Sequence, residues 1–155
     1  MWKKLRTYVI SIALALAVGG LAAFLTRDSM DIYEKIVTPP LAPPAILFPI
    51  VWPILYVLMG ISSAIIFNQR ATNDVGTPLT LYVINLIMNF TWSIIFFGMN
   101  AFLGAFIWLI LLLAVIILMI LTFRKISAIA AYLQIPYALW VTFAGYLNFA
   151  IWYLN

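Results

Sequence analysis

An aromatic stripe on one segment gives this sequence its clearest candidate for a binding site. Two proline doublets, Pro39-Pro40 and Pro43-Pro44, precede an uncharged run in which large side chains recur every three or four residues. Residues at this spacing share one face of a helix. The stripe consists of Phe48, Trp52, Tyr56 and Met59. Such a face suits a flat, apolar ligand, because small-molecule sites are lined mainly by apolar and aromatic side chains.

Two later segments also combine large rings with amides. Asn89 and Trp92 are three residues apart, so an amide and an indole share a helix face. A third face carries Trp140, Ala144 and Asn148, with Phe143 and Leu147 along its edge. These side chains could line a pocket. Alternatively they could only pack between helices, where each amide hydrogen bond, including those of Asn85 and Gln134, contributes about 0.6–2 kcal/mol.

The sequence lacks the side chains that most catalytic and metal sites require. It contains no histidine and no cysteine, which removes the commonest metal ligand, the usual general base near neutral pH and the common axial ligands of haem. No Asp, Glu, Lys or Arg falls inside its long apolar segments, whereas ion-coupled carriers generally need such groups within the membrane. We therefore predict no metal site and no cofactor, and we disfavour a proton- or ion-coupled transporter.

The composition is that of an integral membrane protein. Of 155 residues 67% are hydrophobic and 8% are charged, with a mean hydropathy of +1.17, whereas soluble domains average about 25% charged. The net charge of +4 does not indicate nucleic-acid binding, because the basic residues are scattered among the ends of the apolar segments. Three tryptophans near segment ends, Trp2, Trp108 and Trp152, are expected to act mainly as interfacial anchors.

Five apolar segments must position these side chains. They are 8–25, 45–67, 79–97, 103–123 and 128–153. Because the later links are short, we predict one membrane domain, 1–155, folded as an all-α bundle of five transmembrane helices. The loop 26–44 is long and could cover the bundle. The first segment could instead be a signal peptide, but its length of about 18 residues exceeds the usual hydrophobic region of about 7–15.

The distribution of Lys and Arg predicts the orientation in the membrane. Six basic residues fall on one side, namely Lys3, Lys4, Arg6, Arg70, Arg124 and Lys125. The opposite side has only Arg27 and Lys35. Cytoplasmic loops carry the excess of positive charge, so the amino terminus is predicted to be cytoplasmic and the carboxyl terminus to lie on the other side.

The motifs resemble those of the tryptophan-rich sensory protein family, also called the translocator protein or peripheral benzodiazepine receptor family. The similarity runs through nearly the whole chain. Its first part comprises Tyr33, Pro39, Pro43-Pro44, Phe48, Val51-Trp52, Tyr56 and Met59-Gly60. The second comprises Asn89, Trp92, Ser93, Phe96-Phe97-Gly98, Pro136-Tyr137, Trp140, Phe143-Ala144, Leu147-Asn148 and Trp152.

This resemblance implies a bacterial-type member in the cell membrane, a five-helix bundle that forms a homodimer among membrane lipids. It implies binding of porphyrins such as protoporphyrin IX and haem, of isoquinoline carboxamides and benzodiazepines, and a link to tetrapyrrole regulation or stress responses. Some bacterial members are linked to light-dependent porphyrin degradation. The implied ligand-binding positions are Tyr33, Phe48, Trp52, Asn89, Trp92, Trp140, Phe143, Ala144 and Leu147.

Three positions depart from the family pattern. Leu41 stands where many members have a tryptophan, so one wall of the loop-side pocket is expected to lose a ring. Phe149 and Tyr153 stand where the animal cholesterol motif requires a tyrosine and a basic residue, so that motif is absent. Asn85 replaces a glutamine and keeps the amide.

Three functions remain open on the sequence alone. The leading prediction is a receptor or carrier for porphyrins and similar flat, hydrophobic molecules. The second is an enzyme that degrades protoporphyrin in light, with Trp52 and Trp140 as the participating indoles. The third is a structural subunit that binds a partner or a second copy through the small residues Ala13, Ala17 and Gly20.

Overall fold

The computed structural model describes residues 1–29 and 31–155, and its regular elements are helices. They are α1 (Trp2–Thr26), α2 (Ile32–Lys35), α3 (Leu47–Asn68), α4 (Gly76–Ser93), α5 (Phe102–Arg124), α6 (Ala128–Leu133) and α7 (Ile135–Leu154). A 3₁₀ turn, Arg27–Ser29, follows α1, and a π-helical turn, Ile94–Gly98, follows α4. The described residues contain no strand.

Five stretches are long and apolar enough to cross a membrane, which confirms the predicted all-α membrane protein. They are Trp2–Ser29, Leu47–Asn68, Gly76–Gly98, Phe102–Arg124 and Ala128–Leu154. The shortest has 22 residues, and about 20 are enough to span the hydrocarbon core. The protein is therefore an integral membrane protein.

The five stretches pack as a closed ring. Helix α1 packs on α3, α3 on α6, α6 and α7 on α5, α5 on α4, and α4 on α1. One end of the ring, which we call the loop end, holds residues 27–29, residues 31–46 and the end of α7. The other, the basic end, holds the start of α1 and the end of α5.

The first and the last predicted segments differ from the helices observed. Helix α1 begins at Trp2 instead of residue 8, because a helix can continue beyond the apolar layer when its long basic side chains reach water. The segment predicted as one helix over 128–153 is two helices, interrupted at Gln134. Pro136 has no N–H to donate and occupies the first turn of α7, where proline is tolerated.

Glycines let α1 and α3 approach closely. A Cβ on Gly60 would lie 2.5 Å from Cα of Ile12, and a Cβ on Gly19 would collide with the ring of Tyr56. Small residues at a helix contact permit this proximity. The line of small residues proposed for a partner, Ala13, Ala17 and Gly20, is exposed in the isolated chain.

Candidate functional site

A cavity of about 380 Å³ lies among α1, α3 and α4 toward the loop end. Small-molecule sites typically enclose about 300–1,000 Å³. None of the described residues that line the cavity is charged. They are Leu16, Gly19, Gly20, Ala22, Ala23, Thr26, Phe48, Pro49, Trp52, Pro53, Tyr56, Asn89, Trp92, Ser93 and Phe97.

Four of the nine sequence-predicted binding residues line this cavity. Phe48 and Trp52 come from α3, and Asn89 and Trp92 from α4. Trp92 and Asn89 are buried, whereas Phe48 and Trp52 are partly exposed. The helical spacing of each pair accounts for its shared direction toward the cavity.

Trp52 joins the cavity to a second group of rings. Its ring centroid lies 6.2 Å from that of Trp92 and 6.5 Å from that of Trp140, with interplanar angles of 35° and 89°. Aromatic pairs at these separations attract each other and favour tilted or edge-on geometries. One indole therefore contacts both the α4 side and the α7 side of the site.

Three further predicted residues form this second group beneath the loop. Tyr33 packs edge-on against Phe48 at 5.1 Å between centroids, and Phe48 packs against Trp140 at 6.0 Å. Trp140 in turn contacts Phe143 at 5.8 Å. We call Tyr33, Phe48, Trp140 and Phe143 the loop-side cluster. It adjoins the cavity through Phe48, which belongs to both.

The remaining two predicted residues do not line the cavity. Ala144 and Leu147 are buried on α7. They lie next to Asn148, whose Oδ1 accepts a hydrogen bond of 3.2 Å from the Trp92 indole and whose Nδ2 donates to the Ala144 carbonyl. Through Asn148, this part of α7 holds the Trp92 indole in place.

A buried network of amides and phenols forms the polar side of the site. The Tyr56 hydroxyl donates to Oδ1 of Asn89 at 3.3 Å, and Nδ2 of Asn89 donates to the Tyr137 oxygen at 2.8 Å. The Tyr137 hydroxyl donates to Oδ1 of Asn85 at 2.7 Å. These bonds join α3, α4 and α7. They support the interhelical reading for Asn85 and Asn89, and Asn89 also faces the cavity.

The contribution of α1 was not foreseen from the sequence. Six α1 residues line the cavity, four of them in the cluster of small residues at positions 19–23. The signal was present, because small residues in a membrane helix often mark a close helix contact. Gly19 provides that contact, because it has no Cβ to collide with the Tyr56 ring. Among the described residues, no atom beyond the adjacent part of α1 lies within 4 Å of the place that a Cβ on Gly20 would occupy.

Hydrogen bonds hold the loop over this end of the bundle. The Tyr33 hydroxyl donates to the Pro43 carbonyl at 2.8 Å, and the Tyr146 hydroxyl donates to the Pro40 carbonyl at 2.6 Å. Asn155 accepts from the Val37 N–H and donates to the Val37 carbonyl, both at 2.9 Å. These hydrogen bonds join the two ends of the loop to each other and join the loop to α7 and the residue after it.

Leu41 occupies a turn and does not line the cavity. The Ala42 N–H bonds to the Pro39 carbonyl at 3.2 Å, and Leu41 has φ of 69°, a conformation that a leucine adopts at a cost of about 1–3 kcal/mol. Its side chain is 82% exposed. Position 41 therefore contributes no wall to the cavity in this structure.

The charged groups of the loop lie at its surface. Lys35 donates to Asp31 at 2.7 Å and holds the pKa of that carboxyl below its usual value. Both side chains are exposed, so the pair adds little stability. Burial raises the pKa of Tyr33 above its ordinary value.

Trp108 is not only an interfacial anchor. Its indole donates to the Met88 carbonyl at 2.9 Å and thereby joins α5 to α4. Trp2 and Trp152 are exposed, as expected for residues near segment ends.

Comparison with known proteins gives a consistent result. The sequence profile described as the TspO/MBR family matches residues 11–154. The chain is 38% identical to the tryptophan-rich protein TspO of Chlorobaculum tepidum over 157 aligned positions, covering 100% of this chain and 99% of that protein. It is 37% identical to the tryptophan-rich protein TspO of Archaeoglobus fulgidus, with 95% of each covered. It is 28% identical to the human translocator protein, with 97% of this chain and 89% of that protein covered.

Proposed function

This chain belongs to the TspO/MBR family, and from that membership and the geometry of the site we propose that it is a membrane receptor or carrier for porphyrins and similar flat, apolar molecules. The observation that carries the proposal is the position of Trp52. It lines an uncharged cavity and also contacts Trp92 and Trp140. A planar ligand in the cavity can therefore contact one wall that continues into the loop-side cluster.

The lining fits the two chemical parts of such a ligand. One face of the ligand would lie against the wall formed by Trp52 and Trp92, and a polar atom on its edge would meet the amide of Asn89. An acidic substituent would have to reach the cavity mouth, where Arg27 follows the lining residue Thr26. The Arg27 guanidinium stacks on Phe24 and lies 3.9 Å from the Asp28 carboxylate, so an acidic substituent would compete with Asp28 for it.

The rim of the cavity is open toward the bilayer. Leu16, Gly20 and Ala23 on α1 are exposed, as are Pro49 and Pro53 on α3. Part of a large ligand can therefore extend beyond the 380 Å³ cavity between these two helices.

A second candidate function is favoured by the series of indoles. The rings of Trp140, Trp52 and Trp92 follow one another at 6.5 and 6.2 Å between centroids. Such a series could donate electrons to a light-excited macrocycle bound against it. Protoporphyrin degradation in light and air is then a function of the same site.

The test is a titration of the detergent-solubilised protein with protoporphyrin IX in the dark, followed by tryptophan fluorescence. We expect saturable quenching. Trp52→Phe and Asn89→Leu should weaken binding about fivefold to tenfold, as expected for loss of about 1 kcal/mol or more of ring or amide contacts. Trp152→Phe is the matched control, because that indole is exposed and does not line the cavity.

Three results would separate the candidates. Saturable quenching that leaves the pigment intact on illumination supports a receptor or carrier. Bleaching in light that slows in Trp52→Phe and Trp140→Phe, but not in Trp152→Phe, supports degradation. No saturable quenching, or equal effects of all variants, would exclude the porphyrin site and leave a structural subunit.

A further inference from the structure

A second cavity, separate from the aromatic site, lies at the basic end of the bundle. It encloses about 630 Å³ among α1, α3 and α4 and shares no lining residue with the first cavity. We call it the basic groove. Close packing separates the two sites, because Gly60 on α3 meets the backbone of Ile12 on α1 between them.

Three cations lie at the mouth of the basic groove. They are Lys3, Arg6 and Arg70. The ion pairs among the described residues, Arg27–Asp28 and Lys35–Asp31, are both at the loop end. Asp74, the acid on the same side as the groove, accepts the Gly76 N–H at 3.0 Å and makes no ion pair there. The groove therefore carries uncompensated positive charge.

Arg70 is held in place at this mouth. Its guanidinium donates to the Phe67 carbonyl at 3.0 Å and lies 4.1 Å from the centroid of the Phe67 ring. These contacts use one nitrogen and one face of the guanidinium. Its remaining N–H groups can bind an anion, and a guanidinium is suited to phosphate oxygens.

Beyond the cations the groove is apolar and faces the bilayer. Ile10, Leu14 and Val83 line it with exposures of 45%, 60% and 51%. Side chains this apolar at the lipid-facing surface favour contact with hydrocarbon chains.

We propose that the basic groove binds an anionic phospholipid from the surrounding leaflet. The phosphate lies against Lys3, Arg6 and Arg70, and an acyl chain lies along Ile10 and Leu14. Basic pockets between membrane helices are suited to anionic head groups. The apolar wall favours a lipid over a free anion, because an acyl chain joined to the same phosphate can lie along it.

The test is native mass spectrometry of the purified full chain with added phosphatidylglycerol or phosphatidylcholine. We expect one phosphatidylglycerol to be retained in preference to phosphatidylcholine. Lys3→Gln/Arg6→Gln should weaken its retention about 10- to 30-fold, since each basic residue near an anionic surface contributes about a factor of five. Arg124→Gln/Lys125→Gln is the matched control, because it removes two charges at the same end but outside the groove.

Competition distinguishes the lipid from a free anion. Inorganic phosphate and glycerol phosphate should not displace phosphatidylglycerol at equal concentration, because neither has an acyl chain. Displacement by either would overturn the lipid assignment. Equal losses in the two double variants would also overturn the proposal, since they would show a general effect of surface charge. Circular dichroism of each variant verifies that the helices are intact.

Discussion

Tyr33 illustrates how one residue can belong to both the loop and the site. Its ring packs edge-on against Phe48, and its hydroxyl donates to the Pro43 carbonyl. The ring contact places Tyr33 in the loop-side cluster. The hydrogen bond joins the first part of the loop to its end at Pro43. The hydrogen bond depends on a neutral phenol, because a phenolate cannot donate a hydrogen bond.

The closed loop should therefore loosen at high pH. Burial raises the pKa of Tyr33 in the closed loop, so an open loop loses this proton first, near the ordinary value of about 10. The stabilisation is fully present below that pH and is lost as pH rises through the raised pKa. Acrylamide quenching of tryptophan emission, measured between pH 8 and 11, should stay constant up to about pH 10 and increase above it.

Tyr33→Phe is the control for this titration. It keeps the ring and removes only the hydroxyl, so quenching should already be higher at pH 8, by an amount consistent with about 0.5–1.5 kcal/mol. The variant should then lack the additional increase at high pH. An equal increase in both proteins would show that the effect does not come from Tyr33.

At the scale of the elements, hydropathy alone predicts the five spans, because the transfer of apolar side chains into the bilayer is a local property of sequence. Spacing within α3 and α4 likewise predicts that Phe48 and Trp52, or Asn89 and Trp92, share a face. That α1 lines the cavity depends on which faces of the helices meet. That Ala144 and Leu147 on α7 do not line it depends on the same contacts. Those contacts join residues far apart in sequence, so spacing cannot supply them.

The interruption between α6 and α7 leads to a prediction about stability. Gln134 is fully buried at the break, and neither atom of its side-chain amide has a hydrogen-bond partner among the described residues. An unsatisfied buried polar group costs about 1–3 kcal/mol. Gln134→Leu, which nearly preserves the volume, should therefore raise the thermal unfolding midpoint in detergent.

The comparison with Gln134→Ala isolates the amide. That variant also removes the unsatisfied group but leaves a cavity, which costs stability in a packed interior. Its midpoint should lie below that of Gln134→Leu. If Gln134→Leu itself unfolds at a lower temperature than the parent protein, the amide has a partner such as a buried water, and the prediction is wrong.

Across the whole molecule, the same three helices form two different sites at opposite ends. The cavity among α1, α3 and α4 is uncharged and aromatic at the loop end, whereas the groove among them is cationic at the basic end. Between the two, Gly60 lets α3 approach the backbone of Ile12 on α1. One contact between two helices therefore separates a site suited to a flat apolar ligand from one suited to a phospholipid.

The distribution of charge between these ends predicts the orientation of the chain. The basic end holds six Lys and Arg residues, and residues 27–46 at the loop end hold two. By the positive-inside rule, the basic end and the amino terminus should be cytoplasmic. Because the chain has no cysteine, single cysteines can report this directly. Thr38→Cys at the loop end and Ala71→Cys at the basic end both replace exposed residues.

In intact bacterial cells, a membrane-impermeant maleimide should label Thr38→Cys and should label Ala71→Cys only after the cells are permeabilised. The reverse pattern would place the basic groove at the outer leaflet and the aromatic cavity toward the cytoplasm. Labelling of both without permeabilisation would indicate mixed insertion. A matched variant, Arg70→Gln/Arg124→Gln/Lys125→Gln, halves the number of Lys and Arg residues at the basic end. It should therefore increase labelling of Ala71→Cys in intact cells if the charge difference sets the orientation.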